Sequence, residues 1–205
     1  IVSLLETLSG FEPPDLNYIS LKLASQEAQE KLDAARIAAS KSTPMVETIT
    51  MCIEYIDEEE TLAQLIPRVI EIIRTSLGVT TKAGACNLIS ALVDREPTKM
   101  SPYSGKLMAA LVNSMSTEHN KTINKYYCGV LGTISKVAKE SSIENLINRL
   151  QQWYFEKDDD GLKLSCGLTL MAISQNNSEL MAKFSKKCIP LAFFAIHQQS
   201  GETLS

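Results

Sequence analysis

LIPRVIEII (residues 65–73) has apolar side chains at i, i+1, i+4, i+5 and i+8, which places them along one face of an α-helix. The pattern returns 42 residues later, again after 39 more, and again after a further 42, with Gln151 as its one polar member. The four sets are Leu65, Ile66, Val69, Ile70, Ile73; Leu107, Met108, Leu111, Val112, Met115; Leu146, Ile147, Leu150, Gln151, Tyr154; and Cys188, Ile189, Ala192, Phe193, Ile196.

A second set of helices alternates with the first. Its pattern repeats after 42 and then 38 residues: Cys86, Leu88, Ile89, Leu92; Cys128, Val130, Leu131, Ile134; and Cys166, Leu168, Thr169, Ala172. Two helix types that recur in phase about every forty residues are typical of a helical solenoid. Neither helix buries its apolar face alone, so each pair must stack on the next. The sequence therefore predicts an all-α superhelix of antiparallel helix pairs.

Residues 1–205 are predicted to form a single solenoid segment, and the turn residues mark where its helices begin and end. Residues 1–60 form irregular leading helices near 16–24, 26–41 and 44–56, after a first segment that Pro13-Pro14 interrupts. Helix-pair repeats follow at 61–97, 102–139 and 143–176, and 179–198 is the first helix of a further repeat. The predicted helices within them are 61–77, 80–95, 102–116, 121–138, 143–157, 161–175 and 179–198.

Composition and charge exclude several classes of protein. No apolar run approaches the ~20 residues of a membrane-spanning helix. The net charge is −4, with −8 on residues 1–60 and +4 on residues 61–205, so neither part suits nucleic acid as the main partner. The chain begins without Met and has no signal peptide, and we expect it to be a segment of a longer protein. Repeats exposed at its ends would favour self-association.

No catalytic, cofactor or metal site is predicted. The five cysteines are widely spaced within apolar runs, which indicates buried, reduced thiols. Gly78–Gly84 lacks the order of a phosphate loop and follows no strand. The acidic run Glu156–Gly161 lacks the twelfth-position Glu of a calcium-binding loop, so we interpret it as a solvated turn.

Trp153 and Phe155, which belong to the run of three aromatic residues Trp153, Tyr154 and Phe155, are candidates for a protein-binding site. Three consecutive side chains spread over about 200° of a helix and cannot all face one core. Tyr154 continues the apolar stripe. Trp153 or Phe155 must then either pack between repeats or contact a partner.

The repeat resembles the HEAT family, most clearly in Tyr103–Ala138, where an outer helix and a polar turn precede an inner helix rich in small residues. Lys125 and Lys163 precede Cys128 and Cys166 by three residues, where HEAT repeats usually carry Arg. A carboxylate from a neighbouring turn would offset their unfavourable position in the first turn of a helix. The usual turn aspartate is missing from Ser116–Asn120, which leaves this pairing open for that repeat.

Six phrases in order also resemble the family of proteasome-associated adaptor and scaffold proteins, known as extracellular mutant twenty-nine. They are EPPDLNYISLKLA (12–24), ARIAASKSTPMVETITMCIEYID (35–57), TTKAGACNLISALV (80–93), SPYSGKLMAALV (101–112), WYFEKDD (153–159) and CIPLAFFAIH (188–197).

This resemblance implies a non-enzymatic scaffold, without cofactors, that binds subunits of the 26S proteasome. Such a scaffold tethers the core particle to the regulatory particle and links proteasomes to other cellular structures. It implies a cytoplasmic and nuclear location, with some of the protein on the surface of endomembranes. The alternative is a HEAT scaffold of another assembly, such as a transport receptor, a coat or a phosphatase scaffold.

Overall fold

The computed structural model describes residues 1–11, 25–56 and 58–191, and these residues contain helices and turns but no strand. Residues 185–191 are helical as well. The helices are α1 (Val2–Thr7), α2 (Gln26–Lys41), α3 (Pro44–Ile53), α4 (Glu59–Thr75), α5 (Val79–Arg95), α6 (Pro97–Met100), α7 (Ser104–Met115), α8 (Lys121–Ile134), α9 (Glu140–Glu156), α10 (Asp160–Asn176) and α11 (Ser178–Lys183), with 3₁₀ turns at Leu8–Phe11 and Ser101–Tyr103.

Three helix pairs, α4–α5, α7–α8 and α9–α10, stack in two layers. The first helices of the pairs, α4, α7 and α9, pack on one another and form the outer layer. The second helices, α5, α8 and α10, form the inner layer. Helix stacks on helix from one pair to the next, as a solenoid requires. The predicted all-α solenoid of antiparallel helix pairs is confirmed.

The apolar stripes of the sequence form the core between the layers. All five stripe residues of α7 are buried, and in α9 Leu146, Ile147 and Leu150 are buried. Gln151, which breaks the stripe, is half-buried, and its side-chain amide donates a hydrogen bond of 3.0 Å to the carbonyl of Lys187. The exception in the pattern is therefore a polar contact to the next repeat.

Side-chain contacts at a separation of one repeat join successive pairs. Ser101 donates to the carbonyl of Val137, 36 residues away, and Asn177 donates to that of Ser135, 42 residues away. Three ion pairs have separations of 42 or 43 residues: Lys136–Asp94, Lys183–Glu140 and Lys187–Glu144. Most of these contacts lie along the edge where an inner helix ends and the next outer helix begins.

The inner helices α8 and α10 approach closely because α8 carries Gly132. A Cβ at this position would lie 2.6 Å from the carbonyl carbon and the Cβ of Ala172. Atoms cannot approach so closely, so the contact requires glycine. The outer helices α7 and α9 are farther apart and leave a cavity of 210 Å³, lined by residues that include Gly105, Ala109 and Arg149.

The leading helices depart from the two-layer pattern. α1 packs against α4 and α5, α3 packs against α5, and α2 lies across α5 and α8 as a third layer over the inner helices. Ser25 caps α2 and Thr43 caps α3, each side chain accepting a hydrogen bond from a backbone N–H three residues later. Pro44 then occupies the first turn of α3, where a missing N–H costs no hydrogen bond.

Several helix bounds differ from those predicted. Residues 102–116 begin with a 3₁₀ turn before α7, because Pro102 lacks the N–H that a continuous helix would use. Residues 121–138 stop being helical at Ile134 and end in turns whose N–H groups donate to carbonyls three residues back. The predicted helix 179–198 is interrupted at Phe184. Its end at residues 192–198, and the predicted helix 16–24, lie outside the described residues.

Candidate protein-binding surfaces

The three consecutive aromatic residues at the end of α9 have different environments. Trp153 is only 6% exposed and packs in the core, and the Arg149 guanidinium lies 5.4 Å from the centre of its ring. Tyr154 is half-buried, and its ring meets that of Phe155 edge-on at 5.0 Å. Phe155 is 68% exposed. Burial removes Trp153 from the candidates for partner contact, and Phe155 stays a prediction.

Trp153 rather than Tyr154 takes the fully buried place at the end of the stripe. In α9 the buried positions are Ile143, Leu146, Ile147, Leu150 and Trp153. Leu146 and Ile147 follow Ile143 by three and four residues along one face, and Leu150 and Trp153 continue it in steps of three, so Trp153 follows Leu150 on the buried face. Tyr154 packs at the margin of the core.

The lysines that resemble the HEAT arginines have carboxylate partners, but from unexpected places. Lys125 lies 3.3 Å from Glu30 of the third-layer helix α2. Lys163 lies 3.5 Å from Asp158, in the turn immediately before its own helix. In both cases a carboxylate lies beside a cation near the start of a helix, where it offsets the unfavourable interaction of that cation with the macrodipole.

One ion pair does join a lysine near the start of an inner helix to the turn of the next repeat, but the lysine is Lys82, which the sequence pattern did not predict. Lys82, in the first turn of α5, contacts Glu118 in the α7–α8 turn at 2.5 Å, and both side chains are about one-seventh exposed (16% and 14%). Glu118 also accepts a hydrogen bond from the backbone N–H of Asn120. Glu118 therefore takes the place of the missing turn aspartate. Lys82 could have been found, because it precedes Lys125 by about one period.

The side chain of Asn120 joins the start of α8 to helix α2. Its side-chain oxygen caps α8 by accepting from the N–H of Ile123 at 3.1 Å. Its side-chain amide donates to Asp33 of α2 at 2.7 Å. Asp33 is 1% exposed and also lies 3.6 Å from Arg36. A buried carboxylate requires such partners, so this contact fixes the position of α2 on the inner layer.

The glycine-rich and acidic segments have structural roles. Val79–Gly84 is the first part of α5, and Gly84 lies against Leu5 and Leu8, so these residues form no open loop around a phosphate. In the acidic run, Asp159 caps α10 by accepting from the N–H of Leu162 at 2.9 Å. Within the described parts of the chain, no group of three His, Cys, Asp or Glu side chains could hold a metal ion.

The thiols are free and mostly buried. Cys86, Cys128, Cys166 and Cys188 are buried, and Cys52 is half-buried. Burial raises the pKa of Cys128 to about 11. For Cys166, burial and the neighbouring Cys128 raise the pKa to about 12. These thiols therefore stay protonated and unreactive at neutral pH. His119 is exposed at the α7–α8 turn, and His197 lies outside the described residues.

An apolar groove lies between α10 and residues 178–191. Its volume is 570 Å³, and it includes two large side chains that are half-exposed, Met171 at 52% and Ile189 at 53%. Leu168 and Met181 are among the other apolar residues that line it. The inner helix α8 and the outer helix α9 form the corresponding groove one repeat earlier, and there α10 occupies it.

Among the helices of residues 1–11, 25–56 and 58–191, none has the length and apolar character to span a bilayer.

Comparison with known proteins identifies similar sequences. The family model described as "Proteasome adapter and scaffold protein ECM29, HEAT-repeat domain" matches residues 1–155. "Proteasome adapter and scaffold protein ECM29" of Homo sapiens is 40% identical over 205 residues, which is all of this chain and 11% of the human protein. "Proteasome-associated protein ECM29 homolog" of Drosophila melanogaster is 32% identical over 98% of this chain and 10% of its own length.

Similarity extends to yeast, where "Proteasome component ECM29" of Saccharomyces cerevisiae is 25% identical over 98% of the chain. The chain spans about a tenth of the length of these curated relatives. No solved structure gives a significant match.

Proposed function

The chain belongs to the HEAT-repeat family of ECM29 proteasome adapter and scaffold proteins, and from this premise we propose that it is a non-enzymatic segment of a proteasome-binding scaffold. The observation that carries the proposal is the 40% identity with the human adapter over the whole chain. The stacked helix pairs suit this role because they present an extended surface rather than one enclosed pocket.

In this function the scaffold holds the core particle and the regulatory particle of the proteasome together. Two bodies are kept at a fixed distance when each binds a different part of one rigid array, and the second contact is then strengthened by effective concentration. The same array links proteasomes to other structures in cytoplasm and nucleus and on the surface of endomembranes. Weak contacts spread over several repeats supply the affinity.

Binding is tested with the immobilised 205-residue chain and purified 26S proteasome, core particle and regulatory particle in separate experiments. We expect the chain to retain proteasome subunits. If the chain retains both separate particles, this supports tethering by this segment. If it retains only one, that particle is the one to which this segment binds. Recovery of transport, coat or phosphatase subunits from a lysate, with no binding to purified proteasome, would favour the alternative HEAT scaffold.

The exposed ring of Phe155 gives this experiment a matched pair of variants. Phe155→Ala removes the ring that is 68% exposed, whereas Gln152→Ala shortens an exposed side chain one turn earlier on the same helix. If Phe155 contacts the proteasome, only the first variant weakens retention. Equal retention of both variants would exclude Phe155 from the binding surface.

The isolated chain also self-associates through the apolar groove beside α10. Met171 and Ile189 are the half-exposed side chains that a second copy would cover. Sedimentation of the chain over a wide range of concentrations tests this point, and Met171→Glu should shift the chain towards the monomer. A wild-type chain that is monomeric at every concentration contradicts it.

A further inference from the structure

The exposed face of α3 carries two large apolar side chains. Met51 is 61% exposed, and Tyr55, in the turn that follows the helix, is 80% exposed. The opposite face of α3 packs against α5 and buries Ile49 and Ile53. Those buried side chains hold α3 in place, so Met51 and Tyr55 lie outside the core and are accessible to a partner.

Met51 and Tyr55 lie one turn apart on the same side of the chain. Tyr55 follows Met51 by four positions, and the backbone keeps winding after α3 ends. The N–H groups of Glu54, Tyr55 and Ile56 each donate to a carbonyl three residues back. Side chains four residues apart on a helical backbone are neighbours. The two exposed side chains therefore form one small apolar surface.

Carboxylates flank this apolar surface. Residues 44–60 contain six acidic side chains and no Lys or Arg. Five of the six belong to the described part of the chain, and all five are exposed: Glu47, Glu54, Glu58, Glu59 and Glu60. Glu47 precedes Met51 by one helical turn, and Glu54 is adjacent to Tyr55 in the sequence. The apolar surface therefore has a negatively charged rim.

Local structure accounts for only part of this negative charge. Glu59 and Glu60 lie in the first turn of α4, where a carboxylate interacts favourably with the macrodipole. Glu54 lies at the other end of a helix, immediately after α3, where the macrodipole disfavours a carboxylate. Arg95 donates to the backbone carbonyl of Glu54, and its guanidinium also lies 3.9 Å from the carboxylate of Glu96. The charge of Arg95 is thus offset by Glu96.

We propose that the exposed face of α3 is a docking site for a basic amphipathic segment of a partner protein. This site, which we call the α3 patch, consists of Met51, Tyr55 and the exposed carboxylates Glu47, Glu54 and Glu58. The partner segment places apolar side chains on Met51 and Tyr55. Its Lys or Arg side chains pair with the carboxylates of the rim, and a cation can also lie over the ring of Tyr55.

The sign of the charge selects the kind of partner. Nucleic acids and membrane surfaces with anionic lipids are negatively charged, so the α3 patch repels both. The apolar groove beside α10 suits a basic segment less well, because residues 178–191 on one side of it carry three lysines and one glutamate. A basic segment of a protein is therefore directed to the α3 patch rather than to that groove.

The test uses a fluorescent, photo-crosslinking peptide of leucine, alanine and lysine, with the lysines on one face of a helix. The receptor is the 205-residue chain. We expect the peptide to bind at low salt and to lose affinity as the salt concentration rises, because salt screens exposed charges. The same peptide with glutamate in place of lysine should not bind. Mass spectrometry of the crosslinked chain should place the basic peptide on residues 44–60.

One pair of variants tests the apolar part of the α3 patch. Met51→Ser combined with Tyr55→Ser should weaken binding of the peptide about tenfold, because the central apolar contacts supply much of the affinity of such sites. Leu77→Ser is the matched control. Leu77 is 96% exposed, but it lies in the α4–α5 turn, and residues 72–93 around it contain no acidic side chain. This control should leave the affinity unchanged.

A second pair tests the charged rim. Glu54→Gln combined with Glu58→Gln should weaken binding about fivefold and reduce its dependence on salt, as expected for the loss of exposed ion pairs. Asp158→Asn is the control, because it removes an exposed carboxylate that lies 3.5 Å from Lys163, in the turn before α10. The affinity of this variant should equal that of the wild type.

Three results would overturn the proposal. The first is a basic peptide that does not bind even at low salt, and the second is crosslinking outside residues 44–60. The third is a serine double variant, folded by circular dichroism, with the affinity of the wild type, which would reduce the interaction to general attraction between charges. None of these measurements involves the proteasome, so failure here is distinct from failure of the proposed function.

Discussion

Gly132 is the position where the absence of a side chain allows the inner helices α8 and α10 to pack closely. We expect Gly132→Ala to destabilise the chain by about 1–3 kcal/mol, because its Cβ would overlap the backbone of Ala172 and force α8 away from α10. Urea unfolding of the variant measures this loss.

Gly129 is the control for that prediction, since it lies one turn earlier on α8 and a Cβ there meets nothing within 4 Å. Alanine is the better helix former, so Gly129→Ala should stabilise the chain by about 0.5–1 kcal/mol. Equal effects at the two glycines would show that helix propensity, rather than the contact with Ala172, decides both.

The buried thiol of Cys128 makes stability depend on pH. The unfolded thiol ionises near its ordinary pKa of 9.0, whereas the folded thiol stays protonated up to about 11. The contribution of the protonated thiol to the free energy of unfolding is therefore complete below pH 9 and is lost as the pH rises to about 11. Two pKa units correspond to roughly 2–3 kcal/mol. Urea unfolding in this range should show a steeper decline for the wild type than for Cys128→Ala, and parallel declines would contradict the assignment.

Between elements, the Lys82–Glu118 pair is the contact with the largest expected effect. Both side chains are mostly buried, so Lys82→Met leaves Glu118 as a buried charge without its cation. We expect a loss of roughly 2–3 kcal/mol in the free energy of unfolding, somewhat less than for a fully buried pair.

Lys136→Met is the matched control, because Lys136 also joins successive repeats through Asp94 but both side chains are far more exposed, at 40% and 58%. Exposed pairs contribute less than about 1 kcal/mol. If the two variants lose equal stability, burial does not distinguish the two pairs.

The elements also show how far the sequence determines the structure. The stripes at Leu65–Ile73 and Leu107–Met115 recur with the repeat, so α4, α5 and α7 to α10 could be placed from spacing alone, whereas the one-turn helix α6 was not predicted. The position of α2 could not, because its partners Asn120 and Lys125 lie 87 and 95 residues away and its contacts are polar. Such contacts have no periodic counterpart that a pattern could reveal.

The candidate site was less predictable than the fold. Trp153 and Phe155 are both aromatic and only two residues apart, and the continuation of α9 to Glu156 decides which one is buried. Glu118 is a single acidic residue in a turn, and nothing local marks it as the partner of Lys82. Local sequence therefore identifies the residues involved without specifying their partners.

For the whole molecule, stacking predicts that a core substitution lowers the stability of its own repeat and of the adjacent repeats more than that of distant ones. Leu150 in α9 is fully buried, and Leu150→Ala should cost about 2–5 kcal/mol. Because stability in a stacked array is a sum over neighbours, amide exchange should accelerate most from α9 to residue 191 and least in α4 and α5. Gln152→Ala, at an exposed position of the same helix, should change neither region. Uniform acceleration through every helix would instead indicate one cooperative unit.

The contact at Gly132 has a geometric consequence for the stack. The inner helices α8 and α10 touch backbone to side chain, whereas a gap of 210 Å³ separates their outer counterparts α7 and α9. The junction between the α7–α8 pair and the α9–α10 pair is therefore wedge-shaped, narrower on the inner side. A succession of such junctions curves the stack, with the concave side on the inner layer. Because Gly132 carries a hydrogen where alanine would carry a methyl group, the inner helices lie closer together and the curvature is stronger.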